Sequence, residues 1–148
     1  MSRDEAVRRV VLVVDDDEED VYLIRRAFGK RRSIDTIRHV PDGPSLFAYL
    51  GGEGKYSDQE AWPRPQLILM DINMPRENGF ELLRRLREDR ELAPIPVIML
   101  STSTADTDIA EAYRLGANSF INKPATSDGM RQVARHVDEF WFETALTP

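Results

Sequence analysis

Short apolar runs alternate along this chain with longer amphipathic stretches, and that alternation constrains the fold more than any single residue does. Val10–Val14 is continuously apolar and rich in β-branched side chains, as a strand covered on both faces requires. Glu18–Lys30 follows, with Val21, Leu23, Ile24, Ala27 and Phe28 at roughly helical spacing. Ser33–Val40 alternates weakly, as an edge strand does, and Gly43–Leu50 reads as a short helix closed by Gly51-Gly52. Gln66–Met70, Pro96–Leu100 and Asn118–Ile121 then read as strands, and Phe80–Asp89, Ala105–Leu115 and Ser127–Leu146 as helices. Strand and helix taking turns in this way predict an α/β fold, a three-layer doubly wound (βα)5 unit whose parallel sheet is wrapped by right-handed crossovers. Gly51–Pro65, with three glycines and two prolines, reads as a long loop inserted at the surface. Neither a repeat nor an interdomain linker interrupts the pattern, so residues 1–148 are expected to make a single domain with its core at about 8–146.

Composition removes several functions. Without cysteine there is no disulfide framework and no thiolate metal site. No window approaches the ~20 apolar residues of a membrane span, and residues 1–9 lack the apolar stretch of a signal peptide, so a cytoplasmic location is expected. A net charge of −6 argues against nucleic-acid binding. Arg84, Arg85, Arg87 and Arg90 alternate with Glu81, Glu88, Asp89 and Glu91, which reads as a solvated, salt-bridged helix face. His39 and His136 have no Asp/Ser arrangement beside them and read as an edge residue and a helix-surface residue.

In open α/β sheets ligands bind beyond the carboxyl ends of the strands. The first strand ends in Asp15, Asp16 and Asp17, the third in Asp71, the fourth in Ser101 and Thr102, and the fifth in Asn122 and Lys123. Adjacent aspartates after a buried strand repel one another unless a cation is held nearby. Mg2+ suits the position, because it takes oxygen ligands and uses one or two carboxylates with several waters. Asp16 and Asp71 fit as direct ligands, Asp15 as the holder of a metal-bound water, and the Asn73 backbone carbonyl as the remaining protein ligand. Asp17 reads instead as the cap of the next helix. A carboxylate such as Asp71 can carry a covalent phosphoryl group, and Lys123, fixed between Ile121 and Pro124, is the cation to neutralise it.

Val13-Val-Asp-Asp-Asp17, Leu69-Met-Asp-Ile-Asn-Met-Pro75, Pro96-Val-Ile-Met-Leu-Ser101 and Phe120-Ile-Asn-Lys-Pro124 together resemble the receiver domains of bacterial response regulators. The resemblance covers about residues 8–146 and implies a flavodoxin-like sheet of order 2-1-3-4-5. It makes Asp71 the phosphoacceptor, Asp15 and Asp16 the acidic pocket, Ser101 the hydroxyl that bonds the phosphoryl group, and Lys123 its counter-ion. Phe120 stands at the aromatic switch position, where many receivers carry tyrosine; phenylalanine brings no hydroxyl to that switch. Asn73 and Ser103 match positions that tune hydrolysis of the acyl phosphate.

Gly54-Lys-Tyr56, Ser101-Thr-Ser-Thr-Ala-Asp106 and Val137-Asp-Glu-Phe-Trp141 are similar to stand-alone receivers paired with bacterial phytochrome-type histidine kinases. Phe140-Trp141 also reads simply as the anchor of the last helix. The resemblance implies a single-domain response regulator that takes its phosphoryl group from a sensor histidine kinase and assists only its own phosphorylation and dephosphorylation. A phosphatase with an aspartate nucleophile would need a second carboxyl group at Asn73, since an amide cannot serve as general acid. A docking-only pseudo-receiver is disfavoured because acceptor, metal and counter-ion residues are all present. A transcription factor is disfavoured because nothing beyond the last helix could form a helix-turn-helix. Met130, Val133, Ala134, Val137 and Trp141 form an inward stripe on that helix. Phe140, Phe142 and Leu146 exceed it, which predicts a homodimer through the C-terminal helix.

Overall fold

The computed structural model describes residues 8–144 of the chain, with side chains through Phe142. Strands β1 (Val10–Val14), β2 (Thr36–Val40), β3 (Leu67–Asp71), β4 (Val97–Ser101) and β5 (Ser119–Asn122) form one sheet in the order β2-β1-β3-β4-β5. All its pairings are parallel. The expected flavodoxin-like topology is present. Helices α1 (Glu18–Phe28), α2 (Gly43–Gly51), α3 (Gly79–Glu88), α4 (Asp106–Arg114) and α5 (Ser127–Val137) make the crossovers and the closing layer.

Successive strand residues point to opposite faces, so a strand apolar throughout must be covered twice. Leu12, Val14, Ile68, Met70 and Met99 pack with Leu46, Leu82, Leu83, Leu86 and Ala112 from α2, α3 and α4. Val11, Val13, Leu67, Leu69 and Ile98 pack with Ile24 and Phe28 of α1 and Met130 and Ala134 of α5. Side chains start the helices where the loops leave the sheet. Asp17 caps α1 through the N–H groups of Glu19 and Asp20, and Asp42 caps α2 through that of Ser45. Gly52, at φ 66°, closes α2 in the left-handed conformation that glycine adopts without a Cβ clash.

The Gly51–Pro65 segment differs from a loose insertion. Its 3-10 turn, Gly54–Tyr56, buries Tyr56 against Tyr49 with ring centroids 5.2 Å apart, and Trp62 meets Tyr56 edge-on, also at 5.2 Å. The Tyr49 hydroxyl donates to the Pro63 carbonyl at 2.7 Å, and Arg38 donates twice to the Ala61 carbonyl while lying over the Trp62 ring. Aromatic side chains, which glycine and proline counts overlook, turn the segment into part of the core.

Arg87 also departs from expectation. Arg84 pairs with Glu81 and Glu88 as a solvated face predicts. Arg87 turns inward, donating to the carbonyls of Gly116, Ala93 and Ile95 and to Asn118 Oδ1. One guanidinium thereby ties the end of α3 to the loops before β4 and β5. Its planar fork of donors satisfies acceptors that point in different directions. Arg87→Ala should lower stability by roughly 2–3 kcal/mol, the scale for charged hydrogen bonds and the acceptors they leave behind. Urea unfolding measures this, and a loss no larger than that of Arg84→Ala would refute it.

The last helix changes winding. It is α-helical only to Val137 and π-helical over Asp138–Thr144. A π turn spaces neighbours by about five residues, so Phe142 joins Val137 on the inward side. Trp141 and Phe142 both pack against the α1–α5 cluster, which corrects the reading of Phe142 as surplus. Phe140 remains 54% exposed, and Leu146 lies outside the described residues. Asp138, 1% exposed, anchors the junction through Arg31 Nε at 2.7 Å. Among the described residues no helix is long and apolar enough to cross a membrane.

Candidate functional site

β1 delivers Asp15 into the interior, 2% exposed, where each of its polar atoms is used. Its N–H donates to the Val40 carbonyl at 3.2 Å, its Oδ1 accepts from the Asp17 N–H at 2.9 Å, and its Oδ2 accepts from Lys123 Nζ at 2.9 Å. Asp16 follows and is exposed. Asp17 turns away to cap α1, as expected. The first turn of α1 then brings Asp20 back to the cleft, its Oδ2 2.7 Å from Lys123 Nζ.

β3 brings in Asp71, 8% exposed, paired in register with Leu100. Carboxylate oxygens of Asp15, Asp16 and Asp71 all lie within 4.8 Å of one another. Lys123 follows β5 directly. Its N–H donates to the Ser101 carbonyl at 2.7 Å, and its Nζ stands 3.5 Å from Asp71 Oδ1. Gly79 lets the start of α3 close up under this loop. Its N–H donates to the Ile72 carbonyl at 2.7 Å, and a Cβ there would lie 2.9 Å from the Ile72 Cα. The resulting cleft, of about 740 Å³, is lined by Asp16, Asp20, Asp71, Asn73, Thr102 and Lys123, among others.

The other expected residues lie around this cleft in different states. Ser101 is fully buried, and its Oγ accepts from the Ser103 N–H at 3.0 Å; its neighbour Thr102 lines the cleft. Ser103 is committed elsewhere, donating to Asp108 Oδ2 at 2.7 Å and accepting from the Ala105 N–H at the start of α4. Phe120 is half-buried against the α2–α3–α4 side of the core, and its N–H donates to the Tyr113 hydroxyl at 3.1 Å.

The model of the response regulator receiver domain matches residues 11–135. This chain is a response regulator receiver. Response regulator Rcp1 of Synechocystis is 31% identical over all of this chain and 99% of its own length. The crystal structure of the phosphorylated cyanobacterial phytochrome response regulator RcpA superposes with a TM-score of 0.86 at 35% identity, covering 96% of this chain and 99% of that one. Response regulator RPA3017, described in red light signaling of R. palustris, gives the same score and identity over 95% and 98%. The Mn2+-bound form of Rcp1 matches with a TM-score of 0.81 at 31% identity over 95% and 99%.

The receiver's cleft is electrostatically poised for a cation. Burial pushes the Asp71 carboxyl up to about 6 against the attraction of Lys123, and the Asp15 carboxylate adds to the rise. Asp15 is itself raised by burial, opposed by its hydrogen bond from Lys123. Burial alone would lower the Lys123 ammonium, but its bonds to Asp20 and Asp15 outweigh that and raise it. Clustered carboxylate oxygens, with Asn73 on the same wall, are the hard donor set that a divalent ion such as Mg2+ or Mn2+ takes. Sequence reasoning missed two residues of this receiver. Asp20 was readable, since it lies one helical turn after the cap Asp17 and shares its end of α1. His39, read as an ordinary edge residue, brings its Nε2 to 2.6 Å from the Asp15 carbonyl. Only the β1–β2 register, in which Val13 faces His39, reveals it.

Proposed function

We propose that this receiver takes a phosphoryl group onto Asp71 from a phosphohistidine of a sensor kinase and signals by changing the surface around β4 and β5. The observation that carries the reading is Lys123 Nζ 3.5 Å from Asp71 Oδ1, beside the oxygens of Asp15 and Asp16. An Asp71 oxygen attacks phosphorus, the P–N bond breaks, and imidazole leaves with its electron pair. Lys123 stands where it can neutralise a phosphoryl oxygen. Asp16, Asp71 and the Asn73 carbonyl would hold Mg2+, with Asp15 bonded to one of its waters. The ion would supply charge neutralisation of the phosphoryl oxygens. A phosphatase reading lacks its general acid, because Asn73 stands at that position.

Ser101 is the proposed switch hydroxyl and Phe120 its aromatic partner. Ser101 would give up the bond it accepts from the Ser103 N–H, donate its hydroxyl to a phosphoryl oxygen and carry the β4–α4 loop with it. Ser101→Ala should still accept phosphate while losing the phosphorylation-dependent NMR shifts around Phe120; unchanged shifts would argue against the switch. The likeness to RcpA and RPA3017 supports a phytochrome-type kinase as the donor. The exposed Phe140 supports a homodimer through the C-terminal helix, in a cytoplasmic protein that binds neither nucleic acid nor membrane. Phosphotransfer from a panel of purified histidine kinases, one a phytochrome, tests the reading. Transfer to wild type and none to Asp71→Asn is expected. Transfer from no kinase, or equally to both proteins, would overturn it.

A further inference from the structure

We infer that His39 is a positioning residue for the cation site, holding the peptide that aims Asp16. The inference rests on the metal reading just given. β1 and β2 pair in parallel as far as the Asp15 N–H, which donates to the Val40 carbonyl at 3.2 Å. β2 then ends at Val40, and Asp42, whose N–H would come next in the ladder, turns away as the cap of α2. The next carbonyl of β1, that of Asp15, belongs to the peptide that joins Asp15 to Asp16. Its partner is the His39 side chain, with Nε2 at 2.6 Å. A carbonyl only accepts, so Nε2 carries the proton and donates.

This bond acts at the point where the site is least constrained from within. The Asp15 carboxylate is gripped by the Asp17 N–H and by Lys123. Asp71 belongs to the ladder of β3 with β4. Asp16 is exposed, and a carboxylate oxygen of it comes within 4.8 Å of those of Asp15 and Asp71. The orientation of the 15–16 peptide therefore sets where the Asp16 oxygen lies, and His39 fixes that peptide from the neighbouring strand. Partners that orient ligands in this way typically contribute about 10–100-fold in metal affinity.

Binding of Mg2+ and of Mn2+, measured by isothermal titration calorimetry on the full chain at pH 8, tests the inference directly. Urea unfolding of each variant is followed in parallel. His39→Phe keeps a ring and removes the donor; it should weaken both metals by about 10-fold or more. His39→Gln places an amide N–H near the position of Nε2 and should recover binding to within about threefold of wild type, as a donor role requires. Arg87→Ala, far from the cleft, should lose stability while keeping wild-type affinity, which separates positioning from general loosening. His39→Phe binding within twofold of wild type, or His39→Gln binding as poorly as His39→Phe, would overturn the role of His39. A wild type that binds neither metal at millimolar concentration would instead overturn the metal reading on which it rests.

Discussion

Asp71→Asn should make the metal-free protein more stable at neutral and alkaline pH, with an advantage over wild type that grows by up to about 3 kcal/mol between pH 4 and pH 8. The Asp71 carboxyl is raised by burial from 3.8 to about 6 in the folded protein. A folded-state value above the unfolded one favours folding while the group is protonated. That contribution is complete below pH ~4 and is lost as pH rises through about 6. A shift of roughly two units corresponds to about 3 kcal/mol. Asparagine does not titrate, so the variant escapes the loss. It gives up an attraction to Lys123, but that ammonium keeps Asp15 and Asp20 as closer partners. Urea unfolding in EDTA at pH 4, 6 and 8 gives the comparison. Adding Mg2+ should raise the stability of wild type more than that of the variant, because the variant lacks a carboxylate of the proposed cation site. A variant advantage that stays constant across this pH range would mean that Asp71 is not held in a desolvated site.

Lys123→Ala should act in the opposite direction, lowering stability at pH 7 by roughly 3–5 kcal/mol, the usual cost of removing one partner from a buried ion pair. The Lys123 side chain is 6% exposed, and its ammonium contacts Asp15, itself 2% exposed, together with Asp20 and Asp71. Without it the interior carboxylates face one another with no protein cation between them. Acid should relieve part of the defect, since protonating Asp15 and Asp71 removes the uncompensated charge. Mg2+ should relieve part of it at neutral pH. Denaturation at pH 5 and pH 7, with and without Mg2+, checks both statements. A loss below ~1 kcal/mol, or one indifferent to pH and Mg2+, would show that Lys123 does not hold the cleft together.

The central strands were legible because a sheet buried on both faces writes itself as uninterrupted apolar runs, whereas their order came from the resemblance to receiver domains. Val10–Val14 is an example, every residue of it buried. The site was legible because those runs end in aspartates and a lysine, and parallel pairing aligns the ends. What remained hidden depends on which atoms of distant segments meet. Arg87 resembles Arg84 in sequence, yet one clamps loop carbonyls and the other pairs with glutamates in solvent. His39 gains its partner only from the register of β2 against β1. Trp141 and Phe142 both reach the core because the helix winds more widely after Val137. A 3.6-residue period cannot foresee that change.

The central claim is that Asp71 carries the phosphoryl group, and mass spectrometry of the intact protein tests it most directly. Protein incubated with acetyl phosphate and Mg2+ should gain one phosphoryl group, labile at alkaline pH and mapping to the peptide that contains Asp71. EDTA should suppress the gain, and Asp71→Asn should abolish it while remaining folded. Modification of Asp71→Asn to the wild-type extent, or a wild type that stays unmodified with Mg2+ present, would contradict the account.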